Sequence, residues 1–356
     1  MDLTNQPPTI SVTLHDLQAD TVSLETLEQA FGPASLGVII VTDLPPEYVA
    51  LRQRVLSLAS YLAALPDREL GWSLGKETLA SGRYDTLKGS FYAQPIYNTQ
   101  LEARARRLYP QVPEFTSPNL WPSEDVLPGF RESLEGLCTL VVDVAGEVAK
   151  NCDRYGVEKL DGYEKGMLEG IVRGSVATKA RLLHYYPPPP PSSSSSSLPA
   201  EPEEQRPDSA VGIDDGWCTT HKDLGALTGL TSQMYIDESL HTPQSTSSGD
   251  VPNLPELDAH PDPQAGLWIK NRSGSKTQVH IPRDALAFQT GEALEVITRG
   301  AFHAVPHFVR GPAAGAGSSS IARNTLAVFT QPNLWEMVDD ERDFAAFGQF
   351  SLGKTV

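Results

Sequence analysis

A mixed α/β chain whose C-terminal half is mainly β, of the β-sandwich or jelly-roll type, is the fold class this sequence predicts. Two observations carry it. Up to about residue 178, apolar residues recur at helical spacing around short β-branched runs. After Lys179 the helical period gives way to short β-type runs separated by Gly, Pro and Asp. A length of 356 residues allows one large domain or two ordinary ones, enough to bury a core without disulfide staples.

The elements follow in order. Residues 23–31 place apolar side chains at Leu24, Leu27, Ala30 and Phe31, a helical spacing, behind a Ser23 able to cap. Val38-Ile39-Ile40-Val41-Thr42 is β-branched and reads as a buried strand. Pro45 and Pro46 suit a first helical turn and open a helix running to about Leu65. Residues 70–120 read as a coil-rich surface segment. From Ser123 to about Tyr155, Leu134, Leu137, Val141, Val144 and Val148 share one face of a long core-packing helix. A shorter helical stretch follows at 162–172. The β-type runs are 180–186, 225–236, 266–270, 285–289, 293–298, 303–309 and 321–330. Segments near 187–210, 238–262 and 311–320 are rich in Pro, Ser, acidic residues or Gly, cannot bury a core, and read as flexible surface insertions. The expected organisation is therefore an N-terminal helix/strand region over 1–120, helical support over 121–178, a β core over 179–335 and a C-terminal tail over 336–356.

Charge narrows the function classes. Lys and Arg number 28 against 45 Asp and Glu, a formal net charge of −17. Such a chain cannot neutralise a phosphate backbone, so nucleic acids and anionic membranes are not expected partners, while small anionic ligands remain open. Cys138, Cys152 and Cys218 have no metal-type spacing and form no even framework, which points to a reduced compartment. The first residues lack a basic region and an apolar run, and no apolar stretch approaches the roughly 20 residues of a membrane span. A cytoplasmic, monomeric protein acting on a small molecule is the expectation.

The informative segment is Trp217-Cys218-Thr219-Thr220-His221-Lys222-Asp223. On a strand, His221 and Asp223 share a face, the local half of a two-His-one-carboxylate site for non-haem Fe(II). With 8 His and 45 acids in the chain, about one His-x-acid pair arises by chance, so spacing alone decides little. A second pair, His260-Pro261-Asp262, is set aside because Pro is excluded from central strands. The distant His that such a site needs is supplied twice, by His303 and His307, which face one way if 303–309 is a strand. Farther on, Ile321-Ala322-Arg323-Asn324-Thr325-Leu326 carries Arg323 and Thr325 on one face of an apolar run. A buried Arg is costly without a partner, no acid lies nearby in that run, and a carboxylate ligand suits its two-point fork.

In this order, His221-x-Asp223, His307 and Arg323-x-Thr325 resemble the 2-oxoglutarate- and Fe(II)-dependent oxygenases of the isopenicillin N synthase-like superfamily. Leu183-His184-Tyr185-Tyr186-Pro187-Pro188 is similar to the family's Asn-x-Tyr-Pro-Pro strand, Gly266-Leu267-Trp268-Ile269-Lys270 to its Gly-Gly-Leu-Gln-Val strand, and residues 285–294 to the stretch that ends in Gly-Asp-x-Leu. The similarity covers about residues 10–335 and is strongest from 180 to 330. It implies a double-stranded β-helix (jelly roll) flanked by N-terminal helices. It also implies iron ligation by His221, Asp223 and His307, the last chosen over His303 because Phe308-Val309 follow it where the family has His-Arg-Val. Arg323, Thr325 and Tyr186 match the residues that hold the distal carboxylate of 2-oxoglutarate. Thr325 replaces the usual Ser and keeps the hydroxyl. His184 replaces the usual Asn, which puts that contact in doubt. Lys222, between the ligands, should point away from the metal.

The activity implied is oxidation of a small organic molecule, by default hydroxylation, with O2 as oxidant, succinate and CO2 as products, and ascorbate supportive in vitro. Two other readings stay open: an oxidase on the same fold that omits 2-oxoglutarate, and a non-catalytic jelly-roll binding protein. On the substrate side, His303, Lys76 and Tyr92 are the candidates. Nothing in the sequence selects among alkaloids, terpenoids, amino acids and polyketides.

Overall fold

The computed structural model describes residues 9–65, 71–75, 86–187, 217–244, 249–272, 274–312 and 320–353. The chain begins with β1 (Ile10–Thr13), α1 (Leu14–Gln18), α2 (Leu24–Phe31), β2 (Val38–Thr42) and α3 (Glu47–Ala64). Next come β3 (Trp72–Leu74), β4 (Lys88–Ala93), α4 (Thr99–Leu108), α5 (Pro113–Thr116), the long α6 (Phe130–Lys159) and α7 (Met167–Gly174). The β-rich half holds β5 (Lys179–Tyr185), β6 (Cys218–His221), β7 (Leu227–Thr231), β8 (Met234–Asp237), β9 (Gly266–Lys270), β10 (Lys276–Gln278) and β11 (Leu286–Thr290). It closes with α8 (Glu292–Ile297), β12 (His307–Arg310), β13 (Ile321–Thr330) and α9 (Phe344–Gly353).

Two sheets form. The large one has the order β1-β2-β11-β7-β13-β5-β4-β3, with β8 also paired to β13; the small one runs β10-β9-β12-β6. Pairing is antiparallel throughout except between β1 and β2. Strand alternation sends side chains to two destinations. Leu182, Leu326, Val328 and Phe288 point into the core shared with α3 and α6, where Leu134, Leu137, Val141, Val144 and Val148 are all buried. Leu183, Tyr185, Ala327 and Val309 instead meet between the two sheets. Whatever the odd-numbered residues of β5 and β13 do chemically is therefore done in the inter-sheet space.

Ser23 caps α2 through the amide of Thr26 at 3.0 Å, as the sequence indicates. Several expectations are corrected. The long helix starts at Phe130 rather than Ser123, because Pro128 and the left-handed Gly129 (φ 69°) lie across the earlier start. The 70–120 segment contains β4, an interior strand of the large sheet. Its sequence Lys-Gly-Ser-Phe-Tyr-Ala lacks an apolar run, and pairing with β5 and β3 supplies what propensity does not. Residues 293–298 do not form a strand: Ala293, Leu294 and Ile297 recur at helical spacing and are buried in α8. The strand expected over 303–309 begins only at His307, immediately after Pro306. The tail after 336 contains α9.

The 238–262 insertion is packed where it is described. Val251 and Leu254 are buried, and the Leu254 amide donates to Ser57 Oγ at 3.0 Å. Glu256 takes two hydrogen bonds from Arg52, at 2.8 and 2.9 Å, and Arg52 also donates to the Ser232 and Gln233 carbonyls. Nearly all of 187–210, and residues 313–319, lie outside the described residues. No helix among those described is long and apolar enough to cross a membrane.

Candidate active site

His221 closes β6 and His307 opens β12, and the two are register partners across that pair. Their ligand atoms and a carboxylate oxygen of Asp223 all lie within 4.8 Å of one another. Each imidazole Nε2 is 3.7 Å from Asp223 Oδ1. The other nitrogen of each ring is occupied. His221 Nδ1 lies 2.8 Å from the Thr219 carbonyl, which fixes a proton there and turns Nε2 toward the site. His307 Nδ1 lies 2.7 Å from the Gln289 side-chain amide.

Asp223 is not on the strand. β6 ends at His221, and residues 222–226 form a loop pinned by the start of α8. There the Glu292 amide donates to the Asp223 carbonyl at 2.7 Å and the Ala293 amide to the Leu224 carbonyl at 3.0 Å. Gly225 and Gly291 make this approach possible, since a Cβ on Gly291 would sit 2.2 Å from the Gly225 oxygen. Strand parity is therefore not what brings His221 and Asp223 together; the loop that follows β6 does. Lys222 does point away, toward Glu295 at 3.5 Å.

Electrostatics at the cluster divide the two rings. Burial pulls His221 down, but Cys218 and Asp223 outweigh it and hold the imidazole up at about 9. Burial pushes His307 down to about 4 despite the pull of Asp223 in the opposite direction. A divalent cation would replace the proton that His221 keeps beside Asp223.

Across the pocket stands Arg323, 4% exposed. Its guanidinium carbon lies 4.9 Å from the Tyr185 ring centroid, and Nε and Nη1 have no hydrogen-bond partner among the described residues. Thr325, also buried, points into the same space and donates weakly to the Thr231 carbonyl at 3.4 Å. One cavity is lined by His221, Asp223, His307, Arg323, Thr325 and Tyr185 together with apolar side chains of both sheets.

The remaining site expectations fare differently. Tyr186 is not at this pocket: its hydroxyl donates to the Ala63 carbonyl and accepts from Trp72 Nε1, both at 3.3 Å. Alternation along β5 puts Tyr185 on the pocket face instead, and His184 on the far face, where Nδ1 meets Asn324 Oδ1 at 2.8 Å. His303 lines a separate depression with Lys222 and Glu295, its Nδ1 3.1 Å from the Glu295 carboxylate. Tyr92 is half exposed under the Arg181 guanidinium at 5.2 Å. Lys76 lies outside the described residues. His260 is buried beside Trp217 and Tyr235, outside the ligand cluster. Gln289, Tyr185 and Arg181 were not singled out in the sequence; the parity of β5 and β11 was the signal that could have found them.

No protein-family profile matches this sequence, and no curated protein does. Solved structures do. A 2OG-Fe(II) oxygenase family protein from Caulobacter crescentus superposes with a TM-score of 0.61 at 16% identity, covering 99% of this chain and 100% of its own. A Neurospora crassa protein, solved in complex with alpha-KG and 5-formyluracil, gives 0.56 at 16% identity over 94% of this chain and 89% of its own. The dioxygenase for auxin oxidation in rice gives 0.54 at 16% identity over 98% and 96%. The chain has the fold of the 2OG-Fe(II) oxygenases. Within that oxygenase fold, the His-Asp-His cluster sits on the small sheet and its adjoining loop, and faces Arg323 on the large one.

Proposed function

We propose that this chain is a non-haem Fe(II)- and 2-oxoglutarate-dependent dioxygenase built on a double-stranded β-helix, which hydroxylates a small organic molecule with release of succinate and CO2. The observation that carries the reading is the pairing of two features in one pocket: the His221/Asp223/His307 cluster, and a buried Arg323 with orphaned guanidinium nitrogens. Two imidazoles and one carboxylate suit Fe(II) and leave coordination positions open. A buried guanidinium with two nitrogens left unpaired suits a carboxylate that arrives with a ligand.

His221, Asp223 and His307 would hold the metal, and Arg323 with Thr325 would hold the distal carboxylate of 2-oxoglutarate. When bound, Fe(II) supplies the chemistry that couples oxidative decarboxylation of the co-substrate by O2 to oxidation of the substrate. The chain's part is positional. The Thr219 carbonyl and Gln289 orient the two rings, the loop pinned by α8 presents Asp223, and Tyr185 supports the guanidinium plane. Leu230, Val309 and Phe329 contribute apolar wall that keeps bulk water from the centre.

The test is succinate formation from 2-oxoglutarate with Fe(II), O2 and ascorbate, across a panel of small molecules. Substrate-stimulated succinate supports the reading. Turnover that ignores 2-oxoglutarate would transfer it to an oxidase on the same fold.

A further inference from the structure

We infer that Thr228 is a further co-substrate-binding residue, whose hydroxyl donates a hydrogen bond to the carboxylate that 2-oxoglutarate turns toward the metal. This rests on the oxygenase reading and deepens it, since Arg323 and Thr325 account for the distal carboxylate alone. Strand register places the side chain. Thr228 of β7 is paired with Gln289 of β11 on one side and with Phe329 of β13 on the other. The next residue, Gly229, faces α6, where a Cβ would come within 2.5 Å of Val141 Cγ1. Alternation turns Thr228 the other way, into the inter-sheet space, and it lines the cavity of the metal cluster.

Thr228 stands at the metal end of that cavity. Its partner Gln289 is the residue whose amide meets His307 Nδ1 at 2.7 Å. Arg323 lies six residues before Phe329 on β13, roughly 20 Å along the strand. A diacid held by Arg323 at one end and by the metal at the other therefore turns its second carboxylate toward Thr228. The other two threonines on the cavity wall are engaged: Thr325 Oγ1 donates to the Thr231 carbonyl at 3.4 Å, and Thr231 Oγ1 accepts from the Leu326 amide at 3.1 Å. Thr228 is 1% exposed, and its Oγ1 has no hydrogen-bond partner among the described residues. Leaving a buried hydroxyl unpaired is costly, and an acceptor that arrives with a ligand removes that cost. Gln289 Oε1, on the adjacent strand, is unpaired as well. Once the amide is turned so that Oε1 accepts the His307 proton, its other end is a donor. Donors on this wall select an anionic oxygen. Two neutral imidazoles and one carboxylate leave a divalent cation with net positive charge, which strengthens the selection.

The experiment is a calorimetric titration of the Ni(II)-loaded protein, which does not turn over. The probes are 2-oxoglutarate and 2-oxobutyrate, a 2-oxo acid that lacks the distal carboxylate. Thr228→Val removes the hydroxyl and keeps the shape, and should weaken both probes about 10–100-fold, the range of one hydrogen bond to a charged group. Thr228→Ser keeps the hydroxyl and should retain most of the affinity for both. Arg323→Ala should weaken 2-oxoglutarate and leave 2-oxobutyrate within about 2-fold of wild type, since the shorter acid has no group for that guanidinium. Two further readouts separate a contact with the ligand from a structural effect. Thr228→Val should keep the Ni(II) Kd within about 2-fold, and in urea it should be no less stable than wild type, because valine leaves no unpaired hydroxyl. If Thr228→Val leaves both probes unchanged, the hydroxyl does not touch the co-substrate and the proposal is overturned. A loss for 2-oxoglutarate alone would assign Thr228 to the distal carboxylate, and a loss of Ni(II) affinity would make it act through His307; either result overturns the proposal. Failure of the oxygenase reading shows separately, as absence of 2-oxoglutarate binding to the Ni(II)-loaded wild type before any variant is made, and it overturns both.

Discussion

Gln289 holds its side-chain amide 2.7 Å from Nδ1 of His307, at the centre of a strand where it is fully buried, and its Oε1 has no partner among the described residues. A ligating His307 would carry its proton on Nδ1, and the amide turned end for end would then accept that proton. Gln289→Leu should therefore weaken divalent-metal binding about 10–100-fold, the usual cost of losing such a partner, while Gln289→Glu should retain most of it. A Co(II) or Ni(II) titration monitored by absorbance checks this; unchanged affinity in Gln289→Leu would show that the contact only fills space.

His221→Ala, Asp223→Ala and His307→Ala should each abolish succinate formation and strongly weaken metal binding. His303→Ala and His260→Ala should retain the metal, because His303 is engaged with Glu295 in another depression and His260 lies outside the cluster. Metal retention in His307→Ala, or its loss in His303→Ala, would reverse the ligand choice.

Arg323→Ala should weaken 2-oxoglutarate by roughly 2–5 kcal/mol, the cost of leaving one partner of a buried charge pair alone, and Thr325→Val by roughly 1.5–3 kcal/mol. Arg323→Lys should fall between wild type and Ala, since it keeps the charge and loses the fork. Tyr186→Phe should leave the 2-oxoglutarate Kd unchanged, and Tyr185→Ala should raise it, because Tyr185 is the ring against the guanidinium. The reverse pattern for the two tyrosines would restore Tyr186 to the pocket.

Glu238 gives a pH dependence. Burial raises its carboxyl from 4.5 to about 7, and Oε1 sits 3.9 Å from Nε2 of His184, an imidazole that burial pushes down to about 4. Between those values both groups are neutral, so the pair is not an ion pair. The two shifts oppose each other over the same range: Glu238, raised on folding, contributes stability that is lost as pH rises from about 4.5 to about 7, while His184, lowered on folding, contributes stability that is gained from about 4 to about 6.5. The wild type should therefore vary little with pH from this pair, and Glu238→Gln, which leaves only the His184 contribution, should gain stability relative to wild type as pH rises from 5 to 8. Urea unfolding of both proteins at pH 5 and pH 8 measures that difference, and a difference that does not change with pH would contradict it.

Glu256→Ala should destabilise by roughly 3–5 kcal/mol, because it strands a buried Arg52 that is 1% exposed. Arg283→Ala, whose side chain is 45% exposed, should cost less than about 1 kcal/mol. Chemical denaturation distinguishes them, and equal small effects would mean the 249–262 segment contributes little to the fold.

The sequence by itself determined the helices that bury a periodic face, α2, α3 and most of α6, and the β-branched and apolar strands β2 and β13, because hydrophobic period and burial are local properties of the chain. It also brought forward His221 and Asp223 by their spacing and Arg323 with Thr325 by the cost of burying an unpaired Arg, while His307 was chosen over His303 through the family resemblance. Tertiary structure alone decided the rest. β4 has no strand pattern of its own and exists because β5 and β3 pair with it. α8 looked like a strand and became the helix that pins the Asp223 loop, a contact between segments about 70 residues apart. Whether Tyr185 or Tyr186 faces the pocket turned on one residue of strand register, and a one-residue shift moves every side chain of a strand to the opposite face. That register is set by hydrogen bonds to β4 and β13, which no local stretch of sequence contains.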